Sequence, residues 1–378
     1  MDSRKATYGL LRWQWIGLLI FIIIGLSHKL ISTDKYLISF SPEVSLMTDK
    51  KSVNKGLPAL IPYSAKTIDK KNRNKSPFGS QNVKSLYYRH WLGTDVIGRD
   101  VLAGILSGTN VAMRIGFAAV FFTILIGTIL GYLSGYLGDY RFRVHWGWLL
   151  GSAMAIGLSL FYFLTGGLSV KLVAAGIMVL SLYILVIKSD SEDFSKGTVA
   201  VPFDMIIMRF IEIFNSIPDI FLVLVILALF RTASYGNIIL IITLVKWPTV
   251  TRFLRAEIMA LKQENYVRAA QAIGLPNWKI FKDSILPIAI SPVIISCAFA
   301  FSTAILLEST LSFLGIGVPV DTMTWGSVLS EARERSSSWW LALFPGVMIY
   351  LTIFLFNSIG DNLNAYLRGE RMVSTRRD

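Results

Sequence analysis

Uncharged apolar tracts divide the chain before any other feature does. Eight recur: about Gly9 to Ser27, Ile115 to Gly138, the interval between Arg143 and Lys171, Leu172 to Ile187, the interval between Glu212 and Arg231, about Tyr235 to Trp247, Pro287 to Leu307, and about Ser338 to Ile359. A helix rises about 1.5 Å per residue, so crossing a hydrocarbon layer takes ~20 apolar residues. Most tracts approach that length, and the fourth and sixth fall short of it. Backbone polar groups inside a bilayer must be satisfied within the segment, which favours helices. The pattern therefore predicts an all-α, polytopic transmembrane helical bundle with about eight spans. The first tract follows Arg4, Lys5 and Arg12 and lacks a small-residue cleavage site after its apolar core, so it reads as an uncleaved anchor.

Charge between the tracts sets an orientation. With a cytoplasmic N-terminus, the loops left inside carry 19 Lys and Arg, whereas the short outer loops carry Lys171, Arg231, Arg333 and Arg335. Positive loops stay on the cytoplasmic side, and long loops translocate regardless of charge. Both termini are therefore expected inside, in a multi-pass protein of the cell (inner) membrane. Composition agrees: the 378 residues are 53% hydrophobic and 16% charged, with a mean hydropathy of +0.57. The formal net charge of +13 is explained by these loops and does not call for nucleic acid. The single Cys297 allows no intramolecular disulfide, and His28, His90 and His145 are too scattered for metal-ligand spacing.

One polar cassette interrupts the apolar half, "YVRAAQAIGLPNWKIFKDSILP" from Tyr266 to Pro287. Asn265 is a candidate helix cap, Gly274 a helix stop, and Pro276 an opener of a second helix. The cassette thus reads as a short helix, a tight turn at Gly274-Leu275-Pro276, and a second helix feeding the span at Pro287. Ala269, Ala270 and Ile273 fall near one face. Small side chains there suit a helix lying close in a partner's groove, and an amphipathic helix resting on the membrane fits the same residues.

The cassette resembles the "EAA" loop of ABC transporter importer permeases. That pattern has an Ala pair, a Gly four residues later and an apolar-Leu-Pro ending, matched here by Ala269-Ala270, Gly274 and Ile285-Leu286-Pro287. Arg268 replaces the pattern's leading Glu. Three further stretches resemble the second permease subunit of dipeptide and oligopeptide importers: "HWLGTDVIGRDVLAGILSGTNVAMRIG" (His90 to Gly116), "ESTLSFLGIGVPVDTMTWGSVLSEAR" (Glu308 to Arg333) and "NSIGDNLNAYLRGE" (Asn357 to Glu370).

The resemblance implies a type I ABC importer permease fold with a six-span core. Residues 1–28 are then the cytoplasmic N-terminus and first anchor, 29–110 an outer polar segment and 111–140 the second span. Residues 141–202 form an inserted pair of spans with a cytoplasmic loop, 203–370 the permease core with its coupling loop at 262–287, and 371–378 a cytoplasmic tail. It further implies ATPase docking on Tyr266, Arg268, Ala269, Ala270, Ile273, Gly274, Leu286 and Pro287, with transmission into the span at Pro287. Implied partners are a homologous permease subunit forming a heterodimer, two ATP-binding subunits, an extracytoplasmic substrate-binding protein and membrane lipid. Implied cargo is short peptides, with nickel or glutathione as alternatives in related permeases.

No G-x-x-x-x-G-K-[ST] loop occurs, so ATP and its Mg²⁺ are expected on partner subunits, with no cofactor in this chain. No Ser/His/Asp set, Cys/His cluster or carboxylate pair at catalytic spacing stands out, so the chain is not expected to be an enzyme. Intramembrane acids are expensive, which makes Asp219 and Glu308 candidates for a translocation path, against the alternative that both sit solvated at interfaces. A membrane scaffold or sensor that binds a cytoplasmic partner is the competing function class.

Overall fold

The computed structural model describes residues 2–33, 38–39, 56–57, 59–139, 143–165, 170, 173–178, 180–181, 198–228, 234–319, 321–335 and 337–374. Helices dominate it. Among the described residues, five are long and apolar enough to cross a membrane: Trp13–Ile31, Val101–Leu137, Tyr235–Leu261, Trp278–Phe313 and Trp339–Leu367. A sixth arises if Phe203–Ser216 and Asp219–Ala228 count as one broken span.

The helices outrun the charge-free tracts. The second span was expected to begin after residue 110, but α2 (Val101–Tyr132) starts where the Asp100 carboxylate accepts the Ala103 N–H at 2.7 Å. It carries exposed Arg114 along its length and ends in a π-helical turn, Leu133–Leu137. The sixth tract likewise extends past Trp247, because the helix Tyr235–Leu261 tolerates Lys246, Arg252 and Arg255. The seventh continues past Leu307 to Phe313. A helix stops at a capping signal rather than at a charge, so ending spans at charges truncates them.

The chain forms two compact units, each assembled from separate stretches and cutting across the linear segments read from the sequence: residues 1–125, 219–247 and 291–378 in the first, 126–218 and 248–290 in the second. The first contains α1 (Asp2–Ile31), β1 (Ile38–Ser39) paired antiparallel with β2 (Gly56–Leu57), a 3₁₀ turn at Leu86–Tyr88, and most of α2. One core joins Val111, Ile115 and Ala119 of α2 to Val223, to Ile238, Ile241 and Ile242, and to Ala304 and Leu311. A second is aromatic: Phe301 stacks on Phe356 at 3.8 Å, and Phe21 meets both edge-on. The 59–100 segment has few regular elements and is held by scattered backbone bonds, such as the Thr94 N–H to the Lys75 carbonyl at 2.9 Å, and by side chains. Buried His90 bonds through Nδ1 to the Asp100 carboxylate at 2.8 Å, and the Trp340 indole donates to the Thr94 carbonyl at 3.0 Å.

The second unit holds the far end of α2, the inserted segment and the cassette. Here β3 (Arg143–His145) pairs antiparallel with β4 (Thr198–Ala200), with Arg143 opposite Ala200. The two ends of the inserted 141–202 stretch are thus zipped together, and the excursion begins and finishes at one point. Its first apolar tract forms α3 (Trp146–Thr165); half of the second, Leu172 to Ile187, lies outside the described residues. After the insertion come α4 (Phe203–Ser216) and a break at Ile217 and Pro218; α5 (Asp219–Ala228) and the first part of α6 (Tyr235–Leu261), to Trp247, belong to the first unit, and the rest of α6 to the second. Gly127, Gly131 and Gly135, four residues apart, present a bare stripe to α6. A Cβ on them would fall 2.7 Å from the Val250 side chain, 3.0 Å from that of Leu254, and 3.1 Å from the Arg255 backbone. Small residues at this spacing let helix backbones approach closely.

Candidate coupling site

The cassette folds as α7 (Asn265–Ala272), a turn, α8 (Asn277–Ile280), a π-helical turn at Phe281–Ile285 and α9 (Leu286–Phe313). Asn265 does not cap α7. The cap position belongs to Glu264, in extended conformation, with no side-chain capping bond, and Asn265 is the first helical residue. Its place one step inside the helix leaves its side chain no orphan N–H to serve as a cap would.

The stop at Gly274 is fully formed. Its φ of +77° is one that side-chain-bearing residues avoid. Its N–H donates to the Gln271 carbonyl at 3.0 Å, and the Leu275 N–H reaches back to the Ala270 carbonyl at 3.2 Å. These two bonds are the Schellman pair that satisfies the last carbonyls of a helix. Pro276 then opens the next segment, its carbonyl accepting the N–H groups of Lys279 and Ile280 at 2.9 and 3.1 Å. From Trp278 onward the chain stays helical to Phe313, so the turn is joined to a membrane helix without a flexible link.

An inner face fixes the cassette. Val267, Ile280, Phe281 and Ile285 are buried. The Phe281 ring lies 4.3 Å from Tyr132 and 5.1 Å from Tyr136, and Trp278 meets Tyr132 edge-on at 6.2 Å. Aromatic pairs of this kind contribute about 0.5–1.5 kcal/mol each beyond area burial. Two π-helical turns therefore meet through aromatic rings, one ending α2 and one opening α9.

Beside them the Lys262 ammonium donates to the carbonyls of Gly135 and Tyr136 at 3.2 and 3.1 Å, quieting acceptors that the helix end leaves open. Arg255 of α6 forks onto Asp204 at the start of α4, with Nη2 to Oδ2 at 2.6 Å, and the Ser134 hydroxyl bonds the same carboxylate. Such bidentate pairs fix geometry as well as charge.

The outer face is open. Tyr266, Arg268, Ala269, Ile273 and Gly274 are exposed and Ala270 is half-buried; Ile273 is 76% and Trp278 61% exposed. A Cβ added at Gly274 would meet nothing within 4 Å. Leu286 is half-buried and Pro287 exposed at the start of α9. Large apolar side chains held out on a rigid, otherwise polar turn are the makings of a protein–protein contact.

The two acids proposed for a path separate. Asp219 opens α5 and bonds Lys246 of α6 at 2.6 Å, with 57% of its side chain exposed. Glu308 lies inside α9 rather than at its end, 1% exposed, and accepts from the Ser312 hydroxyl at 2.8 Å. The structure thus sets the candidate docking residues along α7, its stop at Gly274 and the start of α9, and gives the two acids different partners. Sequence reading missed Lys246, Lys262 and the Asp204–Arg255 pair. Their partners lie 27, about 127 and 51 positions away, and no local pattern announces such pairings.

Residues 200–369 match the family model of binding-protein-dependent transport system inner membrane components. The chain is 30% identical over 275 residues to the dipeptide transport system permease protein DppC of Alkalihalophilus pseudofirmus, covering 72% of this chain and 70% of that one. It is 26% identical over 306 residues to the glutathione transport system permease protein GsiD of Pectobacterium atrosepticum, covering 80% and 78%. A solved methionine ABC transporter, MetNI in inward-facing conformations, aligns with a TM-score of 0.43 and 14% identity over 69% of this chain and 94% of that chain. The chain belongs to the binding-protein-dependent inner-membrane transport family. It is a multi-pass membrane permease subunit of an ABC importer, a class that works with separate ATPase and substrate-binding partners.

Proposed function

We propose that this chain carries short peptides inward as one half of a permease heterodimer, with both termini in the cytoplasm and α7 as the helix on which an ATPase subunit docks. Two ATPase subunits would serve the pair, and a substrate-binding protein would deliver cargo on the outer side. The observation that carries the reading is the exposed α7 turn, closed at Gly274 and continuous through α8 with α9. Closure of the ATPase subunits on ATP would push Ile273 and its neighbours. A rigid turn transmits that push to α9, whose tilt changes access across the membrane. Peptides are the cargo class that the dipeptide and glutathione relatives share by name.

Co-purification from detergent tests the docking. Wild type should bring down an ATPase with a phosphate-binding loop. Gly274→Pro should lose it while remaining in the membrane, because proline fixes a negative φ and removes the N–H that bonds Gln271. If no ATPase accompanies wild type, or if the variant retains it fully, the docking assignment fails.

A further inference from the structure

The coupling reading leaves the surroundings of the Asp219–Lys246 pair unexplained. Counted at 1.5 Å per residue, Lys246 lies about 16 Å along α6 from its start at Tyr235, and Asp219 about 14 Å from the end of α5 at Ala228. Both ends border the same connection, residues 229–234. With the edge of the layer set at Ala228, the last described residue of α5, and at Tyr235, both charges fall near half of a ~30 Å hydrocarbon layer. They bond at 2.6 Å, yet in this chain 57% of the aspartate side chain and 24% of the lysine remain uncovered.

The backbone beside them is also irregular. Ser216 ends α4, Ile217 is extended with φ −102° and ψ +126°, and Pro218 brings no N–H. Non-helical backbone at membrane depth persists only where it is buried in protein or lines water, and intramembrane charge obeys the same rule. Counted as one span, α4 and α5 break beside the uncovered ion pair, and both conditions then bear on the same point. The next two side chains along α5, Ile220 and Phe221, are uncovered and apolar.

We propose that Asp219 and Lys246 line the aqueous route of the solute at the membrane midplane and receive the charged ends of a short peptide, Lys246 its carboxylate and Asp219 its ammonium. This rests on the peptide-permease reading above. A zwitterion exchanges one opposite-charge partner for another at each residue, so both protein charges stay compensated as it passes. The resting pair closes on itself at 2.6 Å, which keeps the station neutral when empty. Peptides blocked at one end would leave one protein charge without a partner and should pass poorly.

The test uses the complete transporter, with its ATPase and binding-protein partners, in proteoliposomes. The probes are labelled trialanine, its N-acetylated form and its C-terminal amide. Wild type should prefer free trialanine over either blocked form by about tenfold. Lys246→Gln should bring the amide to within about twofold of trialanine, and Asp219→Asn should do so for the N-acetylated form. Variants that retain both preferences overturn the proposal.

A second readout does not depend on transport. In a Cys297→Ser background, Asp219→Cys and Lys246→Cys should react with a charged methanethiosulfonate reagent, and trialanine should slow the reaction. Ile23→Cys on the uncovered face of α1 should not react. Failure of both route positions to react overturns the proposal. Absence of any ATP-driven trialanine uptake by wild type would instead sink the peptide reading, with the labelling still deciding whether the pair faces water.

Discussion

Glu331 shows how one guanidinium can serve two acids. The Arg99 side chain bonds Asp95 through Nε at 2.5 Å and Glu331 through Nη2 at 2.7 Å, and the Val96 N–H also reaches Glu331 at 3.3 Å. Burial, and then the neighbouring Asp95 charge, outweigh the share of Arg99 that Glu331 receives, and push its carboxyl up to about 7. A carboxyl whose affinity for protons rises on folding makes the folded state bind more protons than the unfolded one between about pH 4.5 and 7. Stability is therefore full below that window and falls as pH rises through it. The loss is bounded at about 3 kcal/mol. Detergent-solubilised protein should show a higher thermal midpoint at pH 5.5 than at pH 8. Glu331→Gln, which keeps the shape and removes the charge, should flatten that dependence and raise the pH 8 midpoint. A midpoint that climbs from pH 5.5 to 8 in wild type would show that Arg99 dominates instead.

At the scale of elements, what could be read in advance followed the range of the interaction. The stop at Gly274 is legible because a Schellman turn is made by residues at most five apart, and the structure places both of its hydrogen bonds there. The span limits were less legible, since α2 and α6 bury neighbours around their charges and run past Arg114 and Arg252. The link of α6 to α4 through Arg255 and Asp204 was not legible at all, because the partners meet only once the helices have packed. The glycine stripe on α2 lies between these cases: its spacing is local, but its meaning depends on what faces it. Gly131 faces the Leu254 side chain, its Cβ and Cδ2 each at 3.0 Å from an added Cβ, whereas Gly135 faces the Arg255 Cα and carbonyl, each at 3.1 Å. A side chain can turn away and a backbone cannot. Gly135→Ala should therefore lower the thermal midpoint more than Gly131→Ala, at a cost of roughly 1–3 kcal/mol against under 1. Equal effects would mean that the close approach of α2 and α6 does not limit their packing.

At the scale of the molecule, the coupling assignment stands or falls with orientation, because ATP and the subunits that hydrolyse it are cytoplasmic. The proposed orientation puts the 59–100 segment outside and the cassette inside, with an odd number of crossings between them. The zipped pair β3–β4 makes the inserted stretch an excursion that returns to its origin, so it leaves this parity unchanged if its crossings are even in number. In a Cys297→Ser background, Ser85→Cys and Gln263→Cys place single thiols at exposed positions on the two segments. An impermeant maleimide applied to right-side-out membrane vesicles should label Ser85→Cys at once and Gln263→Cys only after permeabilisation. The reverse order would put α7 on the side without ATP. The exposed Ile273 and Trp278 would then need a different partner, since no ATPase subunit could reach them. Labelling of both positions in sealed vesicles would mean an even number of crossings between them, and the broken pair α4–α5 would no longer count as one span. The parity of that single break decides whether the push at Gly274 and the polar station at Asp219 belong to one transport cycle.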